Sequence, residues 1–115
     1  MNGVINYPTI PTEIVVHLGA PDEAAENLSL PFVDYIKNVA SNEIYPTWPD
    51  SAIEANILAQ ISFALNRIYN EWYPCKGYTF DITSLPAYDQ AFVKNRQVFD
   101  TISKKVDQIF NNYVY

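Results

Sequence analysis

The chain has 115 residues, 49% of them apolar and 15% aromatic, which is enough for one domain with a packed core and too apolar for a disordered segment. Thirteen acids against seven bases give a net charge of −6, and Lys104-Lys105 is the only adjacent basic pair. That pattern excludes the clustered cations a nucleic-acid partner requires, and a neutral or amphoteric polymer, or a protein, suits the surface better.

Residues 1–11 carry Pro8 and Pro11 and no clear period, so they are expected to form an extended arm or linker. The remaining residues, 12–115, are expected to form a single domain taken from a longer protein. No secretion signal is visible in the first residues, and no apolar run reaches the roughly 18 residues of a membrane span. Residues 12–18 are β-branched and predict a strand, alone or in a hairpin, with Ile14, Val16 and Leu18 on one side and Val15 and His17 on the other. Residues 19–28 read as an acidic loop.

A first helix is predicted from near Pro31 to about Ile44, stopping ahead of Pro46. At 100° per residue, Phe32, Ile36, Val39, Ala40 and Glu43 share its apolar face, while Asp34, Lys37, Asn38 and Ser41 take the other. A rigid aromatic turn follows, Tyr45-Pro46-Thr47-Trp48-Pro49. Ser51 with Glu54 matches a capping box and opens a long helix to about Trp72. Ile53, Ile57, Ile61, Leu65 and Ile68 make its stripe, and Leu58, Ala59 and Phe63 widen it, which places the helix centrally. Asn56, Gln60 and Arg67 interrupt it along one narrow side. Residues 73–94 read as a loop with a short strand at 78–82. A last helix over 95–112 turns Phe99, Ile102, Val106, Ile109 and Phe110 inward. The expected fold is mainly α: a three-helix core with a short N-terminal β-strand or hairpin as its minor β part.

Glu43 is the residue with the clearest chemical promise. A carboxylate on an apolar stripe is costly to bury as an anion, and a carboxylic acid that holds its proton is what a general acid needs. The same pattern admits two structural readings, in which Glu43 turns to solvent or pairs with Arg67 or a backbone amide. Tyr45 and Trp48 can stack on sugar faces, or Trp48 can close the core between two helices. His17, the only histidine, reads as a strand residue, and it leaves no basis for a multi-histidine metal site. Cys75, the only cysteine, allows no internal disulfide and has no histidine nearby in sequence to activate it. Asp81, Asp89 and Gln90 sit in the loop before the last helix, where they line a cleft or face water. No convincing second carboxylate partners Glu43, which favours a single-acid mechanism or no catalysis over two-acid glycoside hydrolysis.

The stretch from Ser29 to Tyr115 resembles the sporulation stage II protein D (SpoIID-like) family of bacterial peptidoglycan lytic transglycosylases and their relatives. Leu30-Pro31-Phe32-Val33-Asp34-Tyr35-Ile36-Lys37-Asn38-Val39 is similar to the family's "LPLEEYLKGVV" opening. Ala40-Ser41-Asn42-Glu43-Ile44 is similar to its "AAEM", Trp48-Pro49 to its "FP", and Ala52-Ile53-Glu54-Ala55-Asn56-Ile57-Leu58-Ala59 to its "ALKAQAVA". Phe80-Asp81-Ile82-Thr83 and Gln90 resemble the region before its last helix. The resemblance implies a peptidoglycan-associated domain, extracellular and in the cell envelope or spore, with Glu43 in the place of the family's catalytic acid/base. It also extends to the central region of clostridial secreted or spore-associated proteins that carry a peptidoglycan-binding domain. Ile61 stands where the family has an arginine, and the family's Ser/Gly-rich segment beyond the last helix has no counterpart before Tyr115.

The expected function is therefore glycan binding or scaffolding, with an active transglycosylase and an assembly module of a secreted surface protein as alternatives. The candidate substrate-binding residues are Tyr45, Trp48, Asn56, Gln60 and Gln90. No cofactor or metal is expected. Peptidoglycan strands or other envelope components are the expected partners, and the aromatic N-terminal segment and Tyr113-Val114-Tyr115 are expected to support self-association.

Overall fold

A computed structural model describes residues 10–114 of the chain, with side chains through Asn112. The expected arm over residues 1–11 lies mostly outside the described residues, and so do the side chains of Tyr113, Val114 and Tyr115 proposed for self-association. The fold is α+β, not the mainly α arrangement that the periodicity suggests. Strand β1 (Glu13–His17) is central in a three-stranded mixed sheet, with β2 (Asn27–Pro31) antiparallel on one side and β3 (Ile82–Thr83) parallel on the other. Helices α1 (Phe32–Glu43), α2 (Asp50–Tyr69) and α3 (Asp100–Ile109) pack on one another and, through α1 and α2, on the strands. The end of α3 widens into a π turn over Phe110–Val114.

The two strands at the edges explain the correction. In β2 only Leu28 and Leu30 face inward, too short an alternation to stand out from the acidic loop before it. In β3 the ladder is completed by a side chain: Asp81 Oδ2 accepts from the Val15 N–H at 2.8 Å, while the Asp81 N–H donates to the Val15 carbonyl at 2.9 Å. The Ser84 N–H continues the pairing to the His17 carbonyl at 2.9 Å. Ile14 and Val16 are fully buried against the helices, and they join Phe32, Tyr35, Ile36, Val39, Ile57, Ile102 and Val106 in one core.

Two further expectations are corrected. Helix α2 is not enclosed, because Leu58, Ala59 and Tyr69 are exposed and only the Ile53, Ile57, Gln60, Ile61 and Ala64 face is buried. Its first residue is Asp50, with Pro49 as cap and no side-chain capping bond, so Ser51 and Glu54 form no capping box. Phe99, expected inside, is 39% exposed. Among the described residues no helix is long and apolar enough to cross a membrane.

Candidate functional site

The site begins where α1 ends. Ile44 leaves the helix with extended backbone, and its buried side chain anchors the exit. The Trp48 N–H donates to the Tyr45 carbonyl at 3.1 Å and closes a tight turn. The turn leaves Tyr45 68% and Trp48 38% exposed, their rings 6.1 Å apart and inclined at 57°. Trp48 therefore does not close the core.

Glu43, the last residue of α1, is exposed rather than buried on the apolar stripe. Two segments converge on its carboxylate. Oε1 accepts from Gln60 Nε2 of α2 at 3.1 Å, and Oε2 accepts from the Ala91 backbone N–H at 3.0 Å. Gln60 in turn accepts, at its main-chain carbonyl, a 3.0 Å bond from Gln90 Nε2, and Gln90 Oε1 accepts from the buried Tyr35 hydroxyl at 2.9 Å. Burial pushes the Tyr35 phenol well above its ordinary value, with the negative charges of Asp89 and Glu43 adding to the effect. Gln60 Oε1 is buried and meets no donor among the described residues.

The polar side of α1, expected to face water, instead grips an extended segment. Asn38 donates from Nδ2 to the Val93 carbonyl at 2.8 Å and accepts from the Val93 N–H at 3.0 Å. Asn42 donates to the Ala91 carbonyl at 2.9 Å, while Glu43 takes the Ala91 N–H. The spacing makes this possible: four helical residues rise about 6 Å, and two extended residues span about 6.6 Å. Residues 38 and 42–43 thus meet residues 93 and 91 in register, so Asn38 and Ser41 are buried although polar.

Past Val93 the chain turns back. Asn95 takes a left-handed conformation at φ 64°, which asparagine tolerates, and Arg96 returns to α1. Its Nη2 donates to the Ser41 carbonyl at 2.8 Å, near the helix terminus where free carbonyls favour a cation. The Phe99 N–H donates to Ser41 Oγ at 3.3 Å. Ser41, Asn42, Glu43, Ile44, Tyr45, Arg96 and Phe99 line a depression of about 240 Å³. Its lining holds one carboxylate and one guanidinium and no second acid. A larger depression of about 470 Å³ lies along α3 and contains none of the candidate residues.

The loop that delivers Gln90 and Ala91 is fixed by Asp89, whose side chain is wholly buried. It accepts from Arg67 Nε at 2.7 Å, the Tyr73 hydroxyl at 2.7 Å, the Thr83 N–H at 2.9 Å and Thr83 Oγ1 at 2.6 Å. Arg67 lies against the faces of Phe63 and Trp72, 4.6 and 4.4 Å from the ring centres. Burial, followed by the bond to Asp89, raises the Tyr73 phenol far above its usual range.

Of the residues picked from sequence, Glu43, Gln60 and Gln90 are brought together, and Tyr45 and Trp48 border them through the turn. Asn56 is not: its Nδ2 bonds the Ala52 carbonyl of its own helix at 2.8 Å. Arg96 was missed. Only its place directly after the Lys94-Asn95 turn could have marked it, and that says nothing of what it reaches. His17 is buried at the sheet, stacked 4.4 Å from Phe80, and Cys75 is exposed in a short turn. Among the described residues no group of three or more His, Cys, Asp or Glu side chains is placed to hold a metal ion. Comparison with family models, curated proteins and solved structures gave no match.

Proposed function

We propose that this chain is a glycan-binding domain of the bacterial cell envelope or spore, related to the SpoIID-like family, which holds a peptidoglycan strand at the Tyr45–Trp48 edge and the adjoining depression. The observation that carries the reading is the pairing of two exposed aromatic rings with an ordered, exposed carboxylate two residues ahead of Tyr45 in the chain. Aromatic faces cover the apolar faces of a sugar, and a carboxylate accepts its hydroxyl and amide protons. Each Glu43 oxygen accepts one bond within the chain, and each has a second lone pair open to a ligand. Sedimentation with purified peptidoglycan tests the reading. Wild type is expected to co-sediment and the Tyr45→Ala, Trp48→Ala double variant to remain in solution; equal sedimentation of both would sink it.

A second reading, an active lytic transglycosylase, is favoured by the single accessible acid. Protonation of the glycosidic oxygen and closure to a 1,6-anhydro sugar can share one residue, and the depression beside Glu43 offers only one. Release of anhydro-muropeptides by wild type but not by Glu43→Gln is its expected signature. Release by neither would leave binding as the function.

A further inference from the structure

We infer that the depression beside Glu43 selects a ligand unit carrying a carboxylate as well as hydroxyl or amide donors, and that Arg96 takes the carboxylate. This rests on the glycan-binding reading and adds to it the charge of the sugar that sits there.

The two arginines of the chain differ in how they are used. Arg67 is committed to Asp89, to the Tyr88 carbonyl and to two ring faces. Arg96 forms no ion pair among the described residues, although the carboxylate of Glu43 lines the same depression. Each charge is instead held by neutral groups of the chain. Ser41 fixes the guanidinium through one N–H and the Phe99 ring lies 5.3 Å from it, while Gln60 and Ala91 fix the carboxylate. Arg96 Nε is moreover buried and meets no acceptor among the described residues. Opposite charges held apart across a small depression favour a ligand that bridges them. A neutral sugar leaves the guanidinium without an anion, and a ligand with two carboxylates sets one against Glu43.

Size narrows the ligand further. About 240 Å³ is the space of roughly eight waters and lies below the 300–1,000 Å³ typical of drug-sized sites. One sugar or one amino-acid unit fits, with the Tyr45 and Phe99 rings at its sides. The net charge of −6 repels free small anions at long range, so such a carboxylate is best delivered on a polymer that has other contacts.

The carboxylate could belong to a sugar substituent or to a peptide terminus, and three probes separate these. Amide chemical shifts of residues 41–45 and 96–99 are followed on adding N-acetylmuramic acid, N-acetylglucosamine or D-alanyl-D-alanine. N-acetylmuramic acid is expected to bind about tenfold tighter than N-acetylglucosamine, the scale of one charge-assisted bidentate contact. Arg96→Gln is expected to erase that difference, bringing N-acetylmuramic acid down to the affinity of N-acetylglucosamine. Arg96→Lys, which keeps the charge, retains part of it and guards against a folding defect. If wild type binds both sugars alike, the inference is overturned while the glycan reading stands. If only the dipeptide binds, in an Arg96-dependent way, the carboxylate site stands and the glycan reading falls. Binding by none of the three overturns the inference and leaves the glycan reading to the sedimentation test.

Discussion

Replacing Asp89 with alanine is expected to be among the most damaging single changes outside the apolar core. The side chain is 0% exposed and accepts four hydrogen bonds, and its charge is balanced by Arg67, itself 16% exposed. Truncation leaves the Tyr73 hydroxyl, the Thr83 N–H and the Thr83 hydroxyl without their acceptor, at about 1–3 kcal/mol for each group that water cannot reach. It also leaves a guanidinium partly buried without an anion, and breaking a buried pair from one side costs about 3–5 kcal/mol in all. These terms overlap, so the larger figure is the estimate. A domain of this size has about 5–15 kcal/mol to lose, and at about 3–4 °C per kcal/mol the melting temperature should fall by roughly 10–20 °C. Urea denaturation followed by circular dichroism measures it directly. The double variant Arg67→Met, Asp89→Leu should recover part of the loss, because it removes the stranded charge. A midpoint change in Asp89→Ala worth less than about 1 kcal/mol would refute the claim that this ion pair anchors the loop.

Three other outcomes follow from the same contacts. Asn38→Ala removes both bonds to Val93 and should cost about 2–3 kcal/mol, with hydrogen exchange at the Val93 amide rising far more than at Ile57 in α2. Tyr35 and Tyr73 have phenols raised above the ordinary value of 10.0, so the folded chain keeps protons that the unfolded chain releases. Stability is then complete below about pH 10 and falls as pH rises beyond it; urea midpoints between about pH 9 and pH 11 should show the decline, and Tyr35→Phe should flatten it. Gly77→Ala should cost about 1 kcal/mol from backbone strain alone, since Gly77 sits at φ 95° with open space around its Cα; a thermal melt unchanged from wild type would contradict this.

What the sequence made legible was whatever repeats along a helix. The Phe32, Ile36, Val39 stripe, the Ile53, Ile57, Ile61 stripe and the Ile102, Val106, Ile109 stripe are all buried as their spacing requires. The sheet was less legible because its edges hold by backbone pairing and by the Asp81 side chain, neither of which has a period. Asn38 and Ser41 were misread for a related reason. A polar residue on a helix looks the same in sequence whether water or another segment's backbone satisfies it, and their partners lie more than fifty residues away in a stretch with no regular pattern.

Glu43 shows both sides of this. Its position on the apolar stripe marked it as unusual, and the reason it is unusual is geometric. The core ends one residue beyond it, at Ile44, so the last turn of α1 carries Glu43 past the apolar contacts to the place where α2 and residues 90–91 meet. The alternative that it pairs with a backbone amide describes its Ala91 contact, whereas Arg67, the other partner considered, belongs to Asp89. Glu43 thus helps hold the segment that brings Arg96 back to the same depression. A substitution there perturbs the ligand surface and its scaffold together, whereas Arg96 is held by one hydrogen bond and one ring face and does not bind residues 90–91, so it is the cleaner place to ask what this surface binds.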